Sequence, residues 1–190
     1  LDIIIDFSNQ RILPLGWTGN STLHYLIDDQ LKTKNMNQSK NEWDSPLIFA
    51  IKNKLYEKVS DKGFQLLHEA QDMILNLSHS SDATLIVFEV YGGETVVIQN
   101  RKLIKTGIRN GNAPTVSPDG EKIVFMIIED DGYQIQSGAI SYWDSKTGKI
   151  YPIIEDPKIV AMNPVWSNNN LIYYINFLDG SIQSAGLGNQ

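Results

Sequence analysis

The sequence predicts an all-β fold, and three observations support that prediction. The apolar runs are short and rich in β-branched and aromatic residues, as strands require. Turns containing glycine or aspartate separate these runs at intervals of roughly 8–12 residues, which is typical of an antiparallel meander. The stretch Asn112–Phe125, NAPTVSPDGEKIVF, places a Ser-Pro-Asp-Gly turn directly before an apolar run, and similar arrangements recur along the chain. We therefore predict antiparallel sheets with almost no helix.

The first two copies of this arrangement lie in the N-terminal part of the chain. Each joins an aromatic residue, a small polar turn and an apolar strand. Trp17 precedes the run Thr22–Ile27, and Trp43 precedes the run Leu47–Ile51. Each pair predicts the inner part of one antiparallel sheet.

The three later copies are longer, and the third and fourth add outer strands. The third copy is predicted from Leu75–Ser78, Leu85–Phe88, Thr95–Ile98 and Lys102–Lys105. The fourth copy follows the opening stretch with Ile123–Ile128, Ile140–Trp143 and Lys149–Ile154. The fifth copy comprises the turn Asn163–Asn170, the apolar run Leu171–Ile175 and the segment Ser181–Gln183, so Pro114 and Pro164 occupy equivalent places.

Five copies of a meander predict a β-propeller, since copies of roughly 40 residues are typical of propeller blades. A blade of this kind cannot bury both of its faces alone, and stacking around an axis solves that problem. The anchors of the five copies are Trp17, Trp43, Leu77, Val116 and Trp166. We predict a single β-propeller domain over residues 1–190 with about five blades of antiparallel meander. A β-sandwich of short strands is the alternative architecture.

The two ends of the chain suggest how the ring closes. Asp2–Phe7 and Arg11–Leu15 resemble an outer hairpin, and the fifth copy stops after its inner strands. N-terminal strands that complete the last blade would remove unpaired sheet edges. Ser181–Ser184 competes with Asp2–Phe7 for the same place. The alternative is that the chain is a fragment of a larger ring, such as a six-bladed propeller.

Composition limits the classes of partner. The net charge is −6 and the pI is about 5.0, which disfavours nucleic acid because phosphate binding needs clustered Lys and Arg. No apolar run has the roughly 20 residues of a transmembrane helix. The chain contains no cysteine, so disulfides, thiolate metal sites and cysteine nucleophiles are excluded. A start at Leu1 rather than Met is consistent with processing, trimming or preceding residues, a removed signal peptide among them.

Two motifs resemble a known repeat family. Pro114–Phe125 is similar to the repeat of TolB-type, WD-repeat-like β-propellers, in which proline and tryptophan precede Ser-Pro-Asp-Gly and an apolar strand. Val116 stands at the usual tryptophan position, and Asp144–Gly148 resembles the family's turn between outer strands. Pro164–Ser167 keeps the aromatic residue but lacks Pro-Asp-Gly after it. The resemblance covers about residues 112–184. It implies a propeller, often bacterial and exported, that serves in protein contact or as an accessory module, and it does not imply an enzyme.

The sequence offers no convincing catalytic or metal-binding constellation. Ser78, His79 and Asp82 lie too close together for a triad, whose members come from separated elements, and a solvated loop is the better interpretation. His24 and His68 lack partners at metal-ligand spacing. Glu129–Gly132 has three carboxylates but not the alternating spacing of a calcium loop, which favours a solvated turn. Glycine pairs such as Gly92-Gly93 precede no helix, so a nucleotide site is not indicated. We predict no catalytic residue, no cofactor and no metal.

Polar loops at equivalent repeat positions are the predicted binding site. The resemblance implies that connections between blades share one rim with the turns between second and third strands. Binding loops commonly converge at such a rim. The candidate residues are Arg109, Asn110, Asn112, Glu129, Asp130, Asp131, Asn176 and Asp179. We predict a non-enzymatic, extracytoplasmic bacterial propeller, in the periplasm or at the cell surface, that binds a protein or another envelope component through this rim. The alternatives are a carbohydrate-binding or hydrolase-associated propeller and a purely structural module of a longer chain.

Overall fold

The structure is a computed structural model that describes residues 12–18, 22–27, 30–35, 46–58, 63–167 and 169–187, the first three ranges by their backbone alone. Every regular element in these residues is a β-strand, and the strands form five antiparallel sheets. The all-β prediction is therefore confirmed, with five sheets as expected. None of the described residues forms a helix able to cross a membrane.

The first two sheets have three described strands each. The first sheet contains β1 (Ile12–Thr18), β2 (Thr22–Ile27) and β3 (Gln30–Asn35), and the second contains β4 (Ile48–Ile51), β5 (Lys54–Lys58) and β6 (Phe64–Glu69). The sequence analysis missed β3, β5 and β6. Their mixture of charged and apolar residues, as in KLYEK of β5, gives no continuous apolar run, although alternating burial along β5 shows a half-buried strand.

The third and fourth sheets have four strands, and the fifth has three. The third sheet contains β7 (Ile74–His79), β8 (Leu85–Val90), β9 (Thr95–Gln99) and β10 (Lys102–Ile104). The fourth contains β11 (Gly111–Val116), β12 (Lys122–Asp130), β13 (Ile135–Asp144) and β14 (Ile150–Ile154). The fifth contains β15 (Ala161–Trp166), β16 (Leu171–Asn176) and β17 (Ile182–Gly186). These strands include the apolar runs predicted for the three later copies. The predicted turn Asn163–Asn170 is wrong in its first half, because Asn163–Trp166 belongs to β15.

A β-bulge in the first strand marks the repeat. The strand register shifts in β7 between Leu75 and Ser78, in β11 between Asn112 and Thr115, and in β15 between Met162 and Val165. The bulged residues have left-handed backbones, with φ of 48° at Asn76, 47° at Ala113 and 52° at Asn163. The equivalence of Pro114 and Pro164 is confirmed, because each follows its bulged residue.

The same bulges correct the anchor residue of the third copy, which the sequence placed at Leu77. The residue that follows Asn76, and so matches Pro114 and Pro164, is Leu77. The residue that matches Val116 and Trp166 is therefore His79, two positions later. The third copy misled the alignment because its aromatic position holds a histidine and its proline position holds a leucine.

The turn after the first strand is also repeated. The hydroxyl of Ser117 accepts a hydrogen bond from Lys122 N at 2.9 Å and donates one to Asp119 at 2.5 Å. Ser80 makes the same pair of bonds, from Leu85 N at 3.0 Å and to Asp82 at 2.6 Å. Ser80–Ala83 is therefore the third sheet's version of Ser-Pro-Asp-Gly. In the fifth sheet the turn is one residue shorter, and Ser167 Oγ accepts from Leu171 N at 3.1 Å.

Neighbouring sheets pack face to face through three apolar clusters. Leu55, Ile86 and Phe88 belong to the cluster between the second and third sheets. Val87, Phe125 and Trp143 belong to the cluster of the third and fourth sheets, and Ile140, Ile172 and Tyr174 to that of the fourth and fifth. Full burial of a residue such as Phe88 or Phe125 stabilises the fold by about 1.5–3 kcal/mol.

Side chains also join the first strands of adjacent sheets. Val116 N donates to Ser78 Oγ at 3.0 Å, and Trp166 Nε1 donates to Thr115 O at 3.1 Å. Trp166 packs against the cluster of the fourth and fifth sheets, so this aromatic residue lies between two blades. The side chain of Trp17, and Trp43 as a whole, lie outside the described residues.

The second to fifth sheets define two rims. The connection rim carries the connections between sheets together with the turns β4–β5, β8–β9, β12–β13 and β16–β17. Backbone bonds between these loops hold this edge together, since Tyr91 N donates to Met73 O and Phe177 N donates to Val160 O, both at 2.8 Å. The opposite rim carries the turns β7–β8, β9–β10, β11–β12, β13–β14 and β15–β16. The predicted sharing of one edge by these loops is confirmed.

Two parts of the closure prediction have different outcomes. Asp2–Phe7 lies outside the described residues, whereas Ile12–Leu15 belongs to β1 and pairs with β2 instead of an outer strand of the last sheet. β17 occupies the third place of the fifth sheet, beside β16. The face of this sheet directed away from the fourth sheet is exposed and apolar, with Val165, Tyr173, Ile175 and Ile182 on it.

Candidate functional site: the connection rim

Large apolar side chains stand exposed on the turns and connections of the connection rim. Tyr133, at the β12–β13 turn, is 96% exposed, and Tyr91, at the β8–β9 turn, is 62% exposed. Met73, Phe177 and Leu178 are exposed on neighbouring loops of the same rim. The described turns of the opposite rim carry no exposed large hydrophobic residue. The two rims therefore differ in chemistry.

The predicted residues Arg109, Asn110 and Asn112 lie where the third sheet connects to the fourth. Arg109 and Asn110 are exposed, and Asn110 has a left-handed backbone with φ of 54°. Asn112 is half-buried at the start of β11, and its amide donates to Asn110 O at 3.0 Å. Asn110 and Asn112 line a cleft, described below, whereas Arg109 does not.

The predicted acidic residues of the β12–β13 turn bind their own turn. Asp131 Oδ1 accepts from Tyr133 N at 2.9 Å and Gln134 N at 2.8 Å. The pKa of Asp131 is lowered, first by the bond from Gln134 N and next by that from Tyr133 N. Asp130 accepts from Gly132 N at 2.9 Å, and Glu129 accepts from Ser137 Oγ at 3.0 Å. The three carboxylates shape the hairpin that presents Tyr133.

Asn176 and Asp179 have a similar role in the β16–β17 turn. Asn176 is buried, and its side-chain oxygen accepts from Leu178 N at 3.3 Å. Asp179 accepts from Ser181 N at 2.9 Å, and hydrogen bonding from Ser181 lowers the pKa of Asp179. Both side chains stabilise the turn that presents Phe177 and Leu178. The structure thus brings the predicted residues to one rim but assigns several of them to turn formation.

A cleft of about 160 Å³ lies on the connection rim between the third and fourth sheets. Its lining includes Glu89, Tyr91, Glu94, Asn110, Asn112 and the pair Gly92-Gly93. Glu89 is half-buried, and its Oε1 accepts from Asn76 Nδ2 at 2.9 Å and from the backbone N of Ala113. Glu89 and Tyr91 did not stand out in the sequence, because neither belongs to a motif and only the packing of two sheets places them together.

A second, larger cleft of about 350 Å³ lies between the second and third sheets. His68, Glu69, Gln71, Glu94 and Leu103 are among its lining residues. The ring of His68 lies 5.7 Å from that of Phe88, centroid to centroid, and Glu69 is 3.6 Å from Lys54 Nζ. His68 and Glu69 of this cleft thus already make contacts within the fold.

The residues considered for catalysis have structural contacts. Ser78 Oγ accepts from Val116 N of the fourth sheet, and His79 Nδ1 lies 2.8 Å from Ser80 O. Asp82 accepts from Ser80 Oγ and from the backbone and hydroxyl of Thr84, at 2.6, 3.0 and 2.8 Å. Within the described residues, no group of three or more His, Asp or Glu side chains could hold a metal ion.

Comparison with known proteins gives the fold but no family assignment. No family model matches the chain, and no curated protein matches its sequence. Among solved structures, TolB from Acinetobacter baumannii superposes with a TM-score of 0.53 at 13% identity, over 90% of this chain and 56% of TolB. A puromycin-hydrolyzing peptidase of Mycobacterium tuberculosis gives 0.61 at 13% identity, over 95% of this chain and 37% of the peptidase.

Another similar structure is the oligogalacturonate lyase of Vibrio parahaemolyticus, with a TM-score of 0.53 at 11% identity, over 70% of this chain and 42% of the lyase. The chain thus spans about half, or less, of the length of these proteins. The similarities show a TolB-like β-propeller fold, as the repeat motif indicated. Because the matches include TolB, a peptidase and a lyase, they do not assign an activity to this chain.

Proposed function

We propose that this protein is a non-enzymatic, extracytoplasmic bacterial propeller module that binds a protein partner through the connection rim. The observation that carries the proposal is the row of exposed apolar residues on successive loops of that rim. Tyr91, Tyr133 and Phe177 are its aromatic members. The extracytoplasmic location and bacterial origin rest on the TolB-like repeat and fold.

The physical basis is the distribution of binding energy in protein interfaces. Aromatic residues supply large contact area and are enriched among the residues that dominate affinity. An aromatic side chain such as Tyr133, held out at the tip of a hairpin, has no partner to pack against within its own turn. The three hydrogen bonds of Asp130 and Asp131 to this turn fix the hairpin that holds it.

Photo-crosslinking followed by a binding measurement tests the proposal. A crosslinking residue at Tyr133, with Lys146 of the opposite rim as the matched exposed control, identifies the partner in cells of the source organism. The purified partner is then titrated by calorimetry against wild type and a Tyr91→Ser, Tyr133→Ser, Phe177→Ser variant. We expect a loss of affinity of about tenfold or more, whereas Ile150→Ser, an exposed apolar change on β14, has no effect. Equal binding by the rim variant overturns the proposal.

Carbohydrate binding is a second candidate, favoured by the cleft on the connection rim. Two carboxylates, Glu89 and Glu94, line this cleft together with the exposed ring of Tyr91. Carboxylates accept hydrogen bonds from sugar hydroxyls, and aromatic rings pack on sugar faces. Titration with neutral oligosaccharides, wild type against Tyr91→Ala, tests this candidate. Saturable binding that Tyr91→Ala removes would favour it over the protein partner.

A further inference from the structure

We infer that the cleft between the third and fourth sheets binds a cationic side chain of the partner, a guanidinium or an ammonium group. This inference rests on the proposed function and specifies the chemistry of the partner's contact residue. It is drawn from the hydrogen bonds, the charges and the size of the cleft.

The cleft is rich in hydrogen-bond acceptors. Glu89 Oε1 is held by Asn76 and by the backbone N of Ala113, which fixes the carboxylate across the junction of two sheets. No described group donates to Glu89 Oε2 or to the carboxylate of Glu94. Asn112 directs its amide donor to Asn110 O, and this leaves its side-chain oxygen as an acceptor. A ligand that supplies several N–H donors matches this set.

The cleft lacks a positive charge of its own. Its lining contains no Lys, Arg or His, and the ion pairs of the described chain do not include Glu89 or Glu94. Hydrogen bonds from Asn76 and Ala113 replace the hydration of Glu89 Oε1, but no described group replaces that of Oε2 or supplies a counter-charge to this half-buried carboxylate. An arriving guanidinium replaces that hydration with charge-assisted hydrogen bonds, which are roughly twice as strong as neutral ones.

Tyr91 adds an aromatic surface at the same cleft. Its side chain is exposed and lines the cleft beside Gly92 and Gly93. A guanidinium or ammonium group within about 6 Å of an aromatic ring is attracted to its face. A carboxylate and an aromatic ring that flank one small space favour a cation over a neutral group.

The volume of the cleft and the negative charge of its lining argue against larger or anionic ligands. Its volume of about 160 Å³ is below the roughly 300–1,000 Å³ of sites that hold a drug-sized molecule, and it suits the head of one side chain. Acidic oligosaccharides would meet the like charges of Glu89 and Glu94. A single side chain presented by a protein surface fits both limits.

The loops around the cleft on the connection rim also carry a net negative charge. Acidic residues outnumber basic residues on the loops of the connection rim, and they are Asp72, Glu94, Asp131, Glu155, Asp156 and Asp179. On the opposite rim, two of the acids are paired with lysines, Glu121 with Lys146 at 2.6 Å and Asp119 with Lys122 at 3.7 Å. Complementary charge accelerates association and selects partners, so the connection rim favours a partner with a basic surface.

The direct test titrates the protein with argininamide as a probe and measures the shifts of backbone amide signals in NMR spectra. We expect saturable shifts at Gly92, Gly93, Asn110 and Gly111, with binding weakened about tenfold or more by Glu89→Gln. The glutamine retains a side-chain oxygen for Asn76 and Ala113, so the fold persists. Glu155→Gln, a neutralisation at an exposed position of the same rim, serves as the matched control and leaves the affinity unchanged.

Two outcomes would overturn the inference. Shifts spread evenly over the rim, with equal effects of Glu89→Gln and Glu155→Gln, would show diffuse charge attraction without a site. Saturable shifts at the cleft with a neutral sugar but not with argininamide would assign the cleft to carbohydrate.

Binding of the partner separates this inference from the proposed function. If the purified partner loses affinity on Tyr133→Ser but binds Glu89→Gln like wild type, the rim binds protein and the cationic contact is wrong. If no rim variant changes the affinity for the partner, the proposed function itself fails. A loss on both Glu89→Gln and Tyr133→Ser supports both.

Discussion

Arg101 closes an ion pair with Glu57 across two neighbouring sheets. Arg101 Nη2 lies 2.5 Å from Glu57 Oε1, and Nε donates to Oε2 at 3.1 Å. The Glu57 side chain is only 7% exposed, whereas that of Arg101 is 61% exposed. The pair is bidentate and spans the β9–β10 turn and β5, so it ties the third sheet to the second on the opposite rim.

Removal of the arginine should therefore cost more than loss of an ordinary surface pair. Arg101→Ala leaves a buried carboxylate without its partner, and we expect a loss of about 1–3 kcal/mol in the free energy of unfolding. Urea titration measures it. Adding Glu57→Gln should recover part of the loss, because the buried group is then neutral. Lys146→Ala, which breaks an exposed pair with Glu121, should cost at most about 1 kcal/mol. Equal losses would contradict the role of burial.

Gly120 is required for two separable reasons. Its φ is +71°, and an added Cβ would lie 2.9 Å from Ser80 Cβ of the adjacent sheet. Gly148 has a similar φ of +68° but no atom within 4 Å of an added Cβ. We expect Gly148→Ala to cost about 1 kcal/mol from backbone strain, and Gly120→Ala to cost clearly more. Thermal melts of both variants check this, and equal melting temperatures would show that the Ser80 contact relaxes freely.

Asp82 should raise the free energy of unfolding near neutral pH and lose this effect in acid. Bonds from Ser80 Oγ first, and then from Thr84 N and Oγ1, lower the pKa of Asp82 from 3.8 to about 2. Because the folded-state pKa is depressed, this stabilising effect is fully present above the unfolded value and disappears as pH falls through about 2. Denaturant titrations between about pH 6 and pH 2 should show wild type and Asp82→Asn converging at the acid end. A constant difference would rule out this titration.

Two tryptophans offer a matched test of the value of an indole N–H bond. Trp143 is buried, and its Nε1 has no hydrogen-bond partner among the described residues. Trp166 Nε1 donates to Thr115 O. Trp143→Phe loses packing but removes an unsatisfied donor, which offsets part of that loss. Trp166→Phe loses packing and, in addition, a hydrogen bond of about 0.5–1.5 kcal/mol. We expect the Trp166 variant to be the less stable in urea titrations, and the reverse order would contradict the assignment.

The repeat was predictable because its turns are local. Ser117, Asp119 and Gly120 form their turn through bonds within five residues, so the sequence carries the whole signal. The match of His79 to Val116 was missed because the third copy has leucine at the proline position and histidine at the aromatic position, and the shared bulge becomes visible only in the strand pairing. β5 and β6 were missed because a half-buried strand with charged residues lacks an apolar run.

The candidate site was only partly predictable for a similar reason. The sequence predicted that the candidate residues lie on one rim, and they do, since loop order along a meander fixes which turns share an edge. It did not separate the carboxylates that bind their own turn, such as Asp131, from one that faces a cleft, such as Glu89. That difference depends on which backbone donors lie nearby, and for Glu89 one of them is Ala113 of the next sheet.

The sequence by itself determined the all-β class, the repeated turn and the edge at which the loops gather, because these follow from local hydrogen bonds and strand order. Only the tertiary structure decided which side chains remain exposed on that edge and which pair of sheets encloses the cleft of Glu89 and Tyr91. Those features arise from contacts between residues far apart in the chain. Such contacts depend on the register and spacing of packed sheets, which no short stretch of sequence encodes.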